Sequence, residues 1–108
     1  GEGEGEGFNL NLPMPAGTAW REYSAALNTA LARIREFGPD ALVVSLGVDT
    51  FKADPISHFR LENEDYLRMG ESIAGLNAPT LFVMEGGYAV DDIGVNTVNV
   101  LTGFEQLA

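Results

Sequence analysis

Two side chains in this 108-residue chain stand where an α/β protein commonly does chemistry. Asp49 follows the apolar run Ala41-Leu42-Val43-Val44-Ser45-Leu46 and the break at Gly47. Tyr88 follows the run Thr80-Leu81-Phe82-Val83-Met84 and the break Glu85-Gly86-Gly87. In an open α/β sheet, ligands bind in the crevice outside the carboxyl ends of the strands. A carboxylate held there is a hard oxygen ligand, costly to bury unless it is hydrogen bonded, paired or metal bound. A phenol of ordinary pKa carries its proton at neutral pH and serves as a donor to a developing oxyanion rather than as a base. The pair fits half of a Lewis-acid hydrolysis site. The plainer readings are a turn-forming or helix-capping Asp49 and a surface Tyr88 after a tight turn. Thr50 is placed to orient the Asp49 carboxylate, as groups behind a metal ligand do. Gly86 and Gly87 leave the backbone free for positive φ or for close approach by another chain.

The elements that must position these groups are readable from periodicity. Phe8, Leu10 and Leu12 alternate with Asn9 and Asn11, the period-two pattern of a half-buried strand, ended by Pro13 and Pro15. Thr18 is a candidate cap for a helix in which Trp20, Tyr23, Leu27, Leu31 and Ile34 form one apolar stripe, stopped by Gly38-Pro39. The runs 41–46 and 80–84 read as short strands covered on both faces. Between them Asp54-Pro55 reads as a turn, and Asn63 caps a second helix whose face carries Tyr66, Met69, Ile73 and Leu76, weakened by Gly70 and Gly75. A third helix runs from about Asp91 to Gly103 with Ile93, Val98 and Leu101 inward, its acidic start suited to the helix dipole. The order β-α-β-α-β-α predicts a parallel sheet flanked by helices, within a single domain over 1–108.

Composition removes several function classes. The chain carries 16 acidic against 6 basic residues, a net charge of −10, which argues against nucleic acid as a partner. It suits a cationic ligand, or simply keeps the protein in solution. No apolar run approaches the ~20 residues needed to span a bilayer, so no membrane partner is expected. Cysteine is absent, which excludes disulfides and thiolate metal sites and fits a reducing cytoplasm. The opening Gly-Glu-Gly-Glu-Gly-Glu-Gly run precedes a strand pattern, not a helix, and its glutamates would repel phosphate; it reads as a flexible terminus and not as a nucleotide loop. His58 is the single histidine and reads as a loop residue, so no complete zinc site of the usual catalytic kind is evident, although an all-carboxylate site stays open. A chain that starts at Gly1 without an initiator Met reads as an excised or truncated piece.

Four blocks, in order, resemble one family. Gly5-Glu6-Gly7-Phe8-Asn9-Leu10-Asn11-Leu12-Pro13-Met14-Pro15 is similar to a glycine loop entering a strand. Phe37 through Asp49 is similar to a metal-ligand strand, Asp54-Pro55 to the loop after it, and Met84-Glu85-Gly86-Gly87-Tyr88 to a tyrosine loop. The set resembles the C-terminal part of the zinc-dependent histone deacetylase and acetylpolyamine amidohydrolase superfamily, of arginase–deacetylase fold. Gly47 to Phe59 is most similar to the acetylpolyamine amidohydrolase branch.

The resemblance implies a Zn2+ cofactor with Asp49 as one ligand and Tyr88 as the residue that polarises the scissile carbonyl. It implies that Gly86 and Gly87 shape the acyl channel and that Ile56 stands at its mouth. It further implies an Asp-x-His ligand pair and a histidine-pair base upstream of this chain, so the 108 residues alone are expected to be silent. The substrate implied is a small cationic acetylated amine. An acyl-lysine protein deacetylase and a non-catalytic α/β interaction module are the alternatives, and a homo-oligomer of the full-length protein is compatible with the sequence.

Overall fold

The computed structural model describes residues 1–107. After a short 3-10 turn at Gly3–Gly5 come α1 (Trp20–Phe37), β1 (Leu42–Leu46), α2 (Asn63–Ala74), β2 (Thr80–Met84) and α3 (Ile93–Leu107). β1 and β2 pair in parallel, Leu42 opposite Thr80 through Leu46 opposite Met84, with α2 in the crossover between them. The fold is therefore α/β, as the alternation of patterns predicts.

The first expected strand does not form. A strand needs a neighbour to take its backbone groups, and among the described residues none lies beside Phe8–Leu12. The segment instead lies against α1, with the Phe8 ring edge-on to Phe37 at 6.1 Å and the Arg33 guanidinium donating to the Gly7 carbonyl at 3.0 Å. Nor are the two strands covered on both faces. Leu42, Val44, Leu46 and Phe82 turn toward one cluster, joined there by Trp20, Tyr23 and Leu27 of α1, Tyr66, Met69 and Ile73 of α2, and Val100 and Phe104 of α3. The alternate residues are open: Val43 is 64% exposed and Leu81 60%. All three helices thus contribute to one side of the sheet.

Helix ends show which local rules won. α1 stops at Gly38, whose left-handed backbone (φ 69°) turns its amide back to the Ile34 carbonyl. Thr18 does not cap α1. Its hydroxyl donates to the Pro15 carbonyl at 2.7 Å, which leaves Ala19 at the cap position without a side-chain bond. Asn63 does not cap α2 either, because Glu62 and Asp65 form a reciprocal capping box around that start, Asp65 accepting from the Glu62 amide at 2.8 Å. The Asn63 side chain is thereby free to donate across to Asn96 of α3 at 2.7 Å.

The face that α3 buries also differs from the apolar stripe. Val98 and Leu101 are 57% and 44% exposed, while Asn96, Val100 and Gly103 face α2. Backbone approach decides this. A Cβ on Gly70 would overlap the Val100 carbonyl, and one on Gly103 would overlap the Leu67 carbonyl. The two helices touch through glycine and are registered by the Asn63–Asn96 bond and by Asn99 donating to the Asn63 carbonyl at 2.9 Å. No helix among the described residues is long and apolar enough to cross a membrane.

This packing predicts opposite outcomes for two glycines of the same helix. Gly103→Ala forces a methyl into backbone and should destabilise the protein by about 1–3 kcal/mol. Gly94→Ala meets open space and should be neutral or stabilising by up to about 1 kcal/mol. Urea denaturation of each variant decides, and a Gly103→Ala protein as stable as the parent contradicts the close crossing.

Candidate functional site

Past their last paired residues, the strands stay tied. The Glu85 amide donates to the Leu46 carbonyl at 2.9 Å, and the Val48 amide donates to the Gly86 carbonyl at 2.8 Å. These two bonds carry the parallel ladder into the loops, so the residues after β1 and those after β2 leave the sheet side by side. Asp49 and Tyr88, far apart in sequence, consequently meet at Gly86. A Cβ placed on that glycine would lie 2.5 Å from Asp49 Oδ2 and 3.4 Å from the Tyr88 phenol oxygen. Gly86 therefore gives the two oxygens their common space. Gly47 leaves room for the Asp49 carboxylate alone, a Cβ there lying 2.9 Å from Asp49 Oδ1. Gly87, with φ 156°, fills a backbone state that other residues rarely adopt, and its α-carbon is packed against Val48 and Ile93.

Asp49 is half-buried, and among the described residues nothing donates a hydrogen bond to its carboxylate. Lone pairs left free at a strand end fit one ligand of a divalent cation. The described residues contain no group of three His, Cys, Asp or Glu side chains placed to hold a metal, so Asp49 fits as a contributor to such a site and not as the whole of it. Tyr88 is 47% exposed, and Ile56 is exposed on the loop after β1. His58 is exposed as well; its carbonyl accepts from the Gly17 amide, and its ring takes no part in the convergence at Gly86.

Thr50 does not orient Asp49. Its hydroxyl lies 2.8 Å from the hydroxyl of Tyr66, a fully buried residue. Burial pushes the Tyr66 phenol far above its ordinary 10, a push that the bond to Thr50 opposes. Tyr23, stacked on Trp20, is also raised, by burial first and then by the negative charge of Asp49. Two protonated phenols thus stand behind the loop that carries Asp49.

Asp54, which reads in the sequence only as half of an Asp-Pro turn, has a wider part. It is buried, at 7% exposure. Its Oδ1 accepts from the amides of Ile56 and Ser57, both at 2.9 Å, and its Oδ2 accepts from the amide of Tyr88 at 3.0 Å. The two local bonds are what an Asp before Pro commonly makes. The third crosses 34 residues and had no local signal.

The histone deacetylase domain family matches residues 1–104 of the chain. Acetylpolyamine amidohydrolase 1 of Pseudomonas aeruginosa is 63% identical over 108 residues, covering all of this chain and 31% of that protein. The crystal structure of acetylpolyamine aminohydrolase from Burkholderia pseudomallei superposes on 99% of the chain and 31% of its own length, with a TM-score of 0.95 at 40% identity. The structure of the histone deacetylase Clr3 of Schizosaccharomyces pombe superposes on the whole chain and 19% of its own length, with a TM-score of 0.90 at 30% identity. The chain spans about a third or less of the length of these relatives.

Asp54 generates a pH prediction. Burial pushes its carboxyl up, but the amides of Ser57, Ile56 and Tyr88 more than offset this and hold it below its ordinary 3.8. A carboxyl lowered on folding stabilises the native state above its unfolded value, and that contribution is lost as pH falls through the folded value. The stability gap between the parent and Asp54→Asn should therefore be widest well above pH 3.8 and close as pH drops below it. Denaturant unfolding of both proteins across that range measures the gap, and a gap independent of pH contradicts the three-amide carboxylate.

Proposed function

The chain belongs to the histone deacetylase domain family, and from that premise we propose that its parent protein is a zinc-dependent amidohydrolase that removes acetyl groups from acetylated polyamines. The observation that carries this reading is the meeting of a free carboxylate, Asp49, and a phenol, Tyr88, at one glycine beyond two parallel strands. Amide hydrolysis needs charge stabilisation on the carbonyl oxygen as water adds. Tyr88 is the donor for that oxygen: its proton is held at the opening by a phenol that can hydrogen bond to the oxygen more strongly as negative charge develops. Asp49 would supply one carboxylate ligand to the metal. When bound, zinc supplies Lewis acidity that makes a water nucleophilic near neutral pH. Gly86 keeps the space between the two groups clear of a side chain, so that an acetyl group can enter, and Gly87 shapes the loop beside it. Ile56 stands at the mouth of that channel.

The Asp-x-His ligands and the histidine base that the family resemblance implies are not among these 108 residues. Activity accordingly belongs to the parent protein. The net charge of −10 favours approach of a polycationic amine at low ionic strength. The lack of cysteine fits the reducing cytoplasm in which we place the protein. The likeness to Clr3 supports a second reading, an acyl-lysine deacetylase acting on protein.

The test uses the complete parent protein with acetylputrescine and an acetylated lysine peptide as substrates. Asp49→Asn and Tyr88→Phe should each lower turnover at least ~10-fold, a loss of about 1.4 kcal/mol in barrier stabilisation. Asp49→Asn should also lower zinc content, measured by elemental analysis, whereas Tyr88→Phe should not. Undiminished turnover in both variants rejects the site, and preference for the peptide rejects the polyamine substrate in favour of the second reading.

A further inference from the structure

We propose that Asp54 is the positioning residue for Tyr88, and that it ties the mouth of the channel to the oxyanion donor through one carboxylate. The inference rests on the reading of Tyr88 as that donor. Tyr88 follows two glycines, and from Glu85 to Ala89 the chain is neither helix nor strand. The loop is fixed at one end where the Gly86 carbonyl accepts from Val48, and at the other where the Ala89 carbonyl accepts from the amides of Asp92 and Ile93. Between these ends the peptide entering Tyr88 has one fixed bond, its amide donating to Asp54 Oδ2 at 3.0 Å. Without it, rotation about the Gly87 backbone would move the whole phenol, because a small change in one dihedral is magnified along a side chain the length of tyrosine.

The anchor is itself held from several sides. The Asp54 amide donates to the Phe51 carbonyl at 3.0 Å, and Phe51 is buried and bridged to Leu61. Asp54 Oδ1 takes the amides of Ile56 and Ser57, so the carboxylate cannot turn toward Tyr88 or away from it without breaking local bonds. Both of its oxygens accept backbone amides, Oδ1 two at the mouth loop and Oδ2 one at the tyrosine loop. A carboxylate is required because all three partners are N–H groups. In Asp54→Asn, one side-chain atom becomes a donor, and whichever way the amide is turned at least one backbone N–H faces another N–H.

A double-mutant cycle in the full-length enzyme tests this. Asp54→Asn should lower kcat about 10- to 100-fold, with KM changed by no more than about threefold, because a displaced donor weakens the transition state more than substrate binding. In a Tyr88→Phe background the same change should cost less than about threefold further, since the hydroxyl it positions is gone. If the Asp54→Asn protein does not fold, replacing Tyr88 by its α-hydroxy acid analogue exchanges the N–H for an ester oxygen, leaves every side chain in place, and should reproduce the loss of kcat. An ester enzyme with full turnover overturns the proposal, as does an equal Asp54→Asn loss in both backgrounds when Tyr88→Phe is itself impaired. A Tyr88→Phe enzyme with undiminished turnover removes the role of Tyr88, and the positioning role falls with it.

Discussion

The two backbone bonds just past the strands, Glu85 to Leu46 and Val48 to Gly86, are the constraint on which the site depends. Each strand is only five residues long, and a pair that short has little to hold its loops in register. Extending the ladder by two bonds removes that freedom where it matters. Once Gly86 is bonded to Val48, Asp49 and Tyr88 have to leave the sheet on neighbouring paths. The side chains then need only enough empty space between them, and Gly86 supplies it. Parallel pairing is essential to this outcome, since it brings both carboxyl ends to the same edge.

Buried polar groups in this chain do structural work of a directional kind. Tyr66 and Thr50 satisfy each other under the Asp49 loop, Asn63 and Asn96 register α2 against α3, and Asp54 gathers amides from two loops. Each would be expensive to bury alone. Paired, each selects one arrangement among several that apolar packing would accept about equally. The apolar cluster sets where the layers meet, and the polar pairs set the angles and registers at which the loops emerge.

Strands 42–46 and 80–84, all three helices and the convergence of Asp49 with Tyr88 were readable from runs of apolar residues and their glycine stops. These signals are local, and they survive because the elements are short and strongly patterned. Most of the failures share a cause too, a deciding partner elsewhere in the chain, although Thr18 turns to Pro15 only three residues back. Phe8–Leu12 alternates like a strand but has no neighbour among the described residues to pair with. Thr18, Asn63 and Thr50 have the chemistry to cap or orient nearby groups, yet each spends its hydroxyl or amide on a different partner. The buried face of α3 escaped a hydrophobic period because glycine and asparagine, not valine and leucine, form it. Asp54 escaped because its decisive bond spans 34 residues and leaves no trace in local composition.

These layers connect the packing of the helices to the phenol. Gly103 and Gly70 let α3 settle against α2, and the Asn63–Asn96 bond fixes how far along it sits. That places Ile93, the first residue of α3, against the α-carbon of Gly87, while the Ala89 carbonyl accepts the first amides of the helix. The tyrosine loop is thus strung between the end of β2 and the start of α3. Any sliding of α3 along α2 has to be absorbed in the few residues from Glu85 to Ala89. With Gly86 held by β1 and Tyr88 held by Asp54, Gly87 is the residue left to absorb it, and it already occupies a backbone state confined almost wholly to glycine. The precision with which the Tyr88 phenol is placed is therefore set by helix packing on the far side of the loop as much as by the residues that touch it.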